Sequence, residues 1–236
     1  MFAACWAVKG GSGTSVVAAS LALVLARDER GALLVDLDGD APAVLGLPDA
    51  AGPGVAGWLA AGAGVPADGL ARLEVVVTEG LGLLPRGAGV LGPPARAEVL
   101  AGILASERRS VVVDCGTCWP SSGSGEPADA VRDGVVAAVV AAAGQRLLVT
   151  RACYLSLRRI VAGPERRAER AAIRPSGIVL VTEPGRALAR RDVEDVAGVP
   201  VVAEVPHDPA VARAIDAGLL AARLPRVLDR ALGQAR

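Results

Sequence analysis

The sequence predicts an α/β fold, a doubly wound and mostly parallel sheet with helices on both faces, and three observations carry that expectation. Short apolar runs alternate along the chain with stretches of helical length, the pattern of repeated strand–helix units. Hydrophobic residues make up 52% of the 236 residues but aromatic ones only 2%. The core must then be built of Ala, Val and Leu, which suits parallel strands buried on both faces. Near the N-terminus a glycine-rich stretch lies between an apolar run and an alanine-rich one. The length fits one domain over residues 1–236.

Phe2 to Val8 reads as a short buried strand, and Val16 to Arg27 has the length and apolar content of a helix. Between them lies Val8-Lys9-Gly10-Gly11-Ser12-Gly13-Thr14-Ser15. Glycines let main chain approach an anion closely, and the helix that follows aims its unpaired N–H groups and positive dipole end at the same spot. A hydroxyl at the start of that helix, Ser15, is the group a Mg²⁺ bridging two phosphates would take.

This stretch resembles the deviant Walker A loop, K-G-G-x-G-K-[ST], of the ParA/MinD family of P-loop ATPases. Lys9, Gly10, Gly11, Gly13 and Ser15 fall on the pattern, with Lys9 as the family's signature lysine. Two positions depart from it. Thr14 stands where the family has the lysine that lies over the β- and γ-phosphates, and Val8 stands where the general P-loop has its first glycine. Composition singles out Lys9, because it is the one lysine beside 24 arginines. An arginine bias across the chain would have replaced an ordinary surface lysine too. Lysine is a compact charge on a thin stem, suited to a crowded phosphate site.

Gly31 to Leu37 is the next apolar run, and it delivers Asp36, Asp38 and Asp40 into a Gly/Pro-rich loop. Carboxylates there lie at the carboxyl end of a parallel sheet, where α/β proteins place their sites. The resemblance implies that Asp38 positions the attacking water and that Asp36 lies nearer the metal. Residues 41–69 are rich in Gly, Pro and Ala, with one helical piece at Val55–Ala61 that carries Trp58; the segment is expected to cover the site or face a partner. Strands follow at Leu73–Thr78 and Leu81–Leu84, then a helix at Pro94–Ser106.

Ser110 to Asp114 is a β-branched run closing on an acid, the Walker B arrangement, which makes Asp114 a candidate for the Mg²⁺ shell. A Gly/Ser/Pro-rich loop containing Trp119 is expected over residues 115–127, suited to sensing a γ-phosphate. After an Ala/Val-rich stretch at Ala128–Ala143 comes a strand at Gln145–Thr150, with Arg151 at its end as a candidate assisting cation. The helix expected over Leu155–Arg170 carries Arg158, Arg159, Arg166, Arg167 and Arg170. Glu165 and Glu169 lie at ion-pair spacing within it, so a solvated, salt-bridged face is the simpler reading; the resemblance to partition proteins adds nonspecific DNA contact as the other.

Ser176 to Thr182 is a further strand, followed by Glu183 and Pro184 rather than the asparagine with which related ATPases often read adenine. Base specificity stays open. The last strand, Val199–Val205, leads into Pro206-His207-Asp208, which resembles the family's P-x-D turn, where Pro206 and Asp208 would flank the base. Leu219 to Arg236 is basic and partly amphipathic but broken by Pro225 and diluted by Asp229, so it reads as a closing helix rather than a membrane anchor.

Formal net charge is zero, from 25 basic and 25 acidic residues, which argues against a surface-wide nucleic-acid field. No apolar run reaches the roughly 18 residues a membrane span needs, and a cytoplasmic location is the expectation. Cys115 and Cys118 form a C-x-x-C pair, but His207 is the sole histidine, so small buried side chains are a simpler reading than zinc. Taken together, the resemblance implies a three-layer P-loop fold that binds ATP and Mg²⁺, with two copies facing each other across two nucleotides and each Lys9 reaching its partner's phosphates. Such a switch positions DNA, a septum, or a secretion or pilus apparatus. Losing the lysine at position 14 removes one charge-stabilising group, worth on the order of 10²-fold in rate. That leaves two nearly equal readings, a slow ATPase switch and a non-catalytic nucleotide-binding scaffold. A nucleotide-free interaction module is the third.

Overall fold

The computed structural model describes residues 1–49, 52–118, 127–161 and 173–234. In chain order its main elements are β1 (Phe2–Ala7), α1 (Thr14–Leu25), β2 (Ala32–Asp36), α2 (Ala41–Leu45), α3 (Gly54–Ala60), β3 (Val75–Thr78) and β4 (Leu81–Leu84). They continue with α4 (Ala97–Ser106), β5 (Ser110–Thr117), α5 (Pro127–Ala142), β6 (Gln145–Arg151) and α6 (Tyr154–Val161). The chain closes with β7 (Gly177–Thr182), α7 (Arg190–Ala197), β8 (Val201–Pro206), α8 (Pro209–Asp216) and α9 (Arg226–Gly233).

The eight strands form one sheet in the order β3-β4-β2-β5-β1-β6-β7-β8. Every neighbouring pair is parallel except β3 and β4, a hairpin at one edge. Chain order doubles back on both sides of β1, so β1 runs down the middle with β5 and β6 as neighbours. The loop that follows a central strand opens at the carboxyl edge, where strand order reverses and α/β folds hold ligands.

Alternation along each strand divides the core in two. From β1, Ala3 and Cys5 face one layer while Ala4 and Trp6, with Val8 just past the strand, face the other. The first layer holds α1, α2 and α9; the second holds α3, α4, α5 and residues of α6 and α7. Ten of the twelve residues of α1 are buried. Its alanines let it lie close against the sheet, and truncating a fully buried side chain such as Leu21 would cost about 2–5 kcal/mol. The three-layer α/β fold expected from the sequence is therefore present.

Details depart from the sequence reading. β5 runs three residues past Asp114, because Thr117 pairs with Ala7 and the Cys118 N–H donates to Ala7 O at 3.0 Å. The helix expected over Leu155–Arg170 is described as Tyr154–Val161, and its later part, with Arg166, Arg167 and Arg170, lies outside the described residues, as does Trp119. The C-terminal helix begins only after Pro225 and packs Leu228 and Leu232 on the α1 side. Trp58 is buried, with the Arg96 guanidinium 3.7 Å over its ring, which ties α3 to the core. Among the described residues no helix is long and apolar enough to cross a membrane.

Candidate functional site

The loop after β1 ends on Gly13, whose φ of 90° lies in the left-handed region that favours glycine. That conformation turns the chain directly into α1. The first intrahelical bond runs from Val17 N–H to Gly13 O at 2.9 Å, so the amides of Thr14, Ser15 and Val16 precede the helix ladder. Among the described residues no side chain caps this end, and no acid stands in the first turn. The result is an uncapped positive helix end, suited to an anion.

Within the loop, Ser12 is buried and its hydroxyl donates to Lys9 O at 2.7 Å, closing the turn. The Lys9 ammonium donates to Gly10 O at 3.1 Å from an exposed position. Thr14 is buried at the start of α1. Beside the loop, Cys153 is half-buried and its thiol donates to Ser156 Oγ at 3.2 Å. Burial pushes that thiol up, but the Ser156 bonds and the charges of Lys9 and Arg186 outweigh burial and leave it below the ordinary thiol value.

Asp114 and Asp36 are cross-strand partners, and Cys5 flanks Asp114 from β1. Asp36 spends both oxygens on the turn it precedes: Oδ1 accepts from Asp38 N–H at 3.0 Å and Gly39 N–H at 2.7 Å, and Oδ2 accepts from Ala41 N–H at 3.2 Å. Burial raises its pKa, although those amides pull it back. Asp114 is fully buried; Oδ1 accepts from Gly116 N–H at 3.0 Å, while Oδ2 has no hydrogen-bond partner among the described residues. Burial pushes its pKa up to about 7; the nearby Ser15 hydroxyl works against the shift, and the Asp36 and Asp38 charges add to it.

Asp38 leans over β5. A Cβ on Gly116 would lie 2.0 Å from Asp38 Oδ1, and Gly116 has a φ of 62°, so only glycine admits this approach. Arg132 of α5 then fastens the carboxylate. Its Nη2 donates to Asp38 Oδ1 at 2.9 Å and to Cys115 O at 2.9 Å, and its Nη1 donates to Thr117 O at 2.7 Å. Arg86 holds the main chain of the same residue, donating to Asp38 O at 3.0 Å.

The sequence reading missed Arg132, Arg86 and Gly116. One signal was available for the first: Arg132 is the single basic residue of the sixteen-residue, Ala/Val-rich α5. Pro206 ends β8 opposite Thr182, and the Asp208 carboxylate caps α8 by accepting from Ala210 N–H at 2.7 Å. Arg151 and Arg186 both pair with Glu183, the first at 2.8 Å. Arg158 is exposed, whereas Arg159 turns toward the loop and donates to Val8 O at 3.0 Å. Cys5, Cys115 and Cys118 are buried, and burial raises all three thiols.

Whether Mg²⁺ suits this site can be judged from its donors. Among the described residues no group of three or more His, Cys, Asp or Glu side chains could chelate a metal unaided. A hard cation held mainly by phosphate and water oxygens needs no such cage. The orphaned Oδ2 of Asp114, with Asp36 and Asp38 crowding negative charge beside it, is the feature such a cation would relieve. The residues fit.

Solved structures similar to this chain include a ParA family ATPase from Chlorobium tepidum TLS, with a TM-score of 0.75, 22% identity, and coverage of 98% of this chain and 95% of that one. The septum site-determining protein MinD of Pyrococcus horikoshii OT3, complexed with Mg-ADP, has a TM-score of 0.71 and 21% identity, covering 99% of this chain and 94% of the other. Cobyrinic acid a,c-diamide synthase from Mycobacterium smegmatis, with ADP and magnesium, has a TM-score of 0.61 and 23% identity over 93% and 95%. At such identities the likeness is one of fold. No curated protein sequence matches significantly. The family model of the CobQ/CobB/MinD/ParA nucleotide binding domain matches residues 4–221, and with nearly the whole chain matched, this protein belongs to that family.

Proposed function

We propose that the chain is an ATP-dependent switch of the ParA/MinD kind. The orphaned Asp114 oxygen beside an uncapped helix N-terminus is the single observation that carries this reading. The main-chain amides of Gly10 to Ser15 would surround the phosphates, Lys9 would contribute the mobile charge, and Ser15 and Asp114 would hold Mg²⁺. When bound, the ion neutralises charge building on the phosphate oxygens. Asp36 steadies the turn that presents Asp38, and Asp38 orients water. Pro206 and Asp208 flank the base. Family neighbours solved with Mg-ADP or with ADP and magnesium support the choice of ligand.

Two copies close around the nucleotides, and each Lys9 reaches the partner's phosphates. Hydrolysis, slowed by Thr14, reopens the pair and so positions a cargo of the kind the family moves: DNA, a septum site, or a secretion or pilus apparatus. One specific observation favours a second reading, a nucleotide-binding scaffold without turnover. Arg132 ties the Asp38 carboxylate at 2.9 Å, where it opposes the freedom a water-orienting group needs.

Calorimetry with Mg-ATP and Mg-ADP, run with light scattering on wild type and Lys9→Ala, tests the proposal. ATP binding that drives dimer formation in wild type and fails in Lys9→Ala is the expected result; a turnover assay then separates slow enzyme from scaffold. Wild type that binds neither nucleotide at millimolar concentration would leave only a fold-keeping interaction module.

A further inference from the structure

Thr14 takes one cation out of the phosphate loop, and the fold brings another to it from 151 residues away. Arg159 of α6 donates through Nη1 to the carbonyl of Val8, the residue at which β1 gives way to the loop. The seat of α6 is fixed by packing: Leu157 is buried in the cluster that holds Trp6 and Val8, and Ser156 is buried beside it. The side chain two positions on is thereby carried to the loop, while Arg159 itself stays exposed.

Other described guanidiniums near the site are committed elsewhere. Arg132 is bound to Asp38, while Arg151 and Arg186 are paired with Glu183. Arg158, the preceding residue, is exposed and makes no bond to the loop among the described contacts. A guanidinium carries five N–H groups in a planar fork, so one bond to Val8 O does not exhaust it, and its geometry suits bidentate contact with phosphate oxygens.

We propose that Arg159 supplies from α6, within the same chain, the second phosphate-facing cation that the loop lacks at Thr14. The inference rests on the reading of Lys9–Ser15 as a polyphosphate site. It also reassigns Arg159 from a solvated, salt-bridged face, with DNA contact as the other reading, to a nucleotide ligand.

The test is a mutant cycle read by calorimetric affinity for Mg-ADP and Mg-ATP, without reference to turnover. Loss of one charge-assisted phosphate contact corresponds to roughly 10- to 100-fold in affinity, and R159A is expected to show that loss. R158A is expected to bind as wild type does. R159Q removes the charge but keeps a polar side chain, shorter than arginine's, with N–H groups; it is expected to lose affinity like R159A while melting at the wild-type temperature, which separates a charge role from a packing role. The decisive variant is T14K. With a lysine restored at position 14, adding R159A should cost less than about threefold, because the two cations serve one function and coupled sites are non-additive.

Wild-type affinity in R159Q would overturn the inference, and so would an equal loss from R159A in the wild-type and T14K backgrounds. Either result would leave the nucleotide reading standing. Wild type that binds no nucleotide at millimolar concentration would overturn both.

Discussion

Replacing Asp114 by Asn should make the metal-free protein more stable at neutral pH while weakening the Mg²⁺ binding proposed for it. The carboxyl is fully buried, accepts one amide on Oδ1 and none on Oδ2, and burial with the charges of Asp36 and Asp38 pushes its pKa up to about 7. In an unfolded chain an aspartate titrates near about 4. Between those values the folded protein binds a proton that the unfolded chain has released, so stability falls as pH rises from about 4 to about 7 and then levels off. Asp36, also raised by burial, adds in the same direction. The lowered carboxyls of Glu107, Glu183 and Glu194 lose their contribution only as pH falls below their ordinary value of 4.5, at the lower edge of this window. Three pH units correspond to about 4 kcal/mol at most. Asn keeps an acceptor for Gly116 N–H and carries no charge, so in EDTA the variant should exceed wild type by about 1 kcal/mol near pH 5 and by more at pH 8. For a chain of this size each kcal/mol moves Tm by roughly 2–4 °C. Thermal melts from pH 5 to 8 measure this. Wild-type stability that stays flat or climbs over that range, or a variant no more stable at pH 8, would refute the reasoning.

Gly116→Ala should destabilise by at least about 1–2 kcal/mol, because a left-handed φ disfavours alanine and its Cβ would strike the Asp38 carboxylate; denaturant melts should show the loss shrinking when Asp38→Ala is added. Among the four thiols, Cys153 should alkylate first with iodoacetamide at pH 7.5, since it is lowered and half-buried while burial pushes Cys118 up to about 12; mass spectrometry reads the site, and earlier labelling of Cys115 or Cys118 would contradict the assignment. Arg96→Ala strips donors from the carbonyls of Trp58, Gly62 and Val65, and should cost about 3 kcal/mol or more; equilibrium unfolding checks the size, and limited proteolysis should find new cuts within residues 54–73.

What the sequence shows plainly is what local pattern controls. The run Phe2–Val8, the glycines behind it and the apolar Val16–Arg27 declare strand, loop and helix because each follows its own short period. Asp36, Asp38 and Asp114 were legible as strand-end acids and the resemblance offered each a role, yet the contacts that divide them were not legible. That division depends on which amides reach Asp36 and which guanidinium reaches Asp38, and Arg132 lies 94 residues away. The end of β5 was misjudged for a similar reason. Cys115-Gly116-Thr117 looks like the start of a turn, but pairing with Ala7 and two bonds from Arg132 keep it in the sheet. Arg159 was read with its helical neighbours as part of a basic, salt-bridged face, and only its bond to the Val8 carbonyl shows where its side chain goes.

The claim that this loop binds nucleotide is tested most directly by amide hydrogen exchange with and without saturating Mg-ATP. Slowed exchange across Gly10 to Ser15, with a second zone over Asp114 to Cys118, is the expected result, because those amides surround the proposed phosphates and the metal-bearing carboxylate. Exchange unchanged at the loop, or slowed only at the opposite end of the sheet around Gly31 and Gly80, would contradict it.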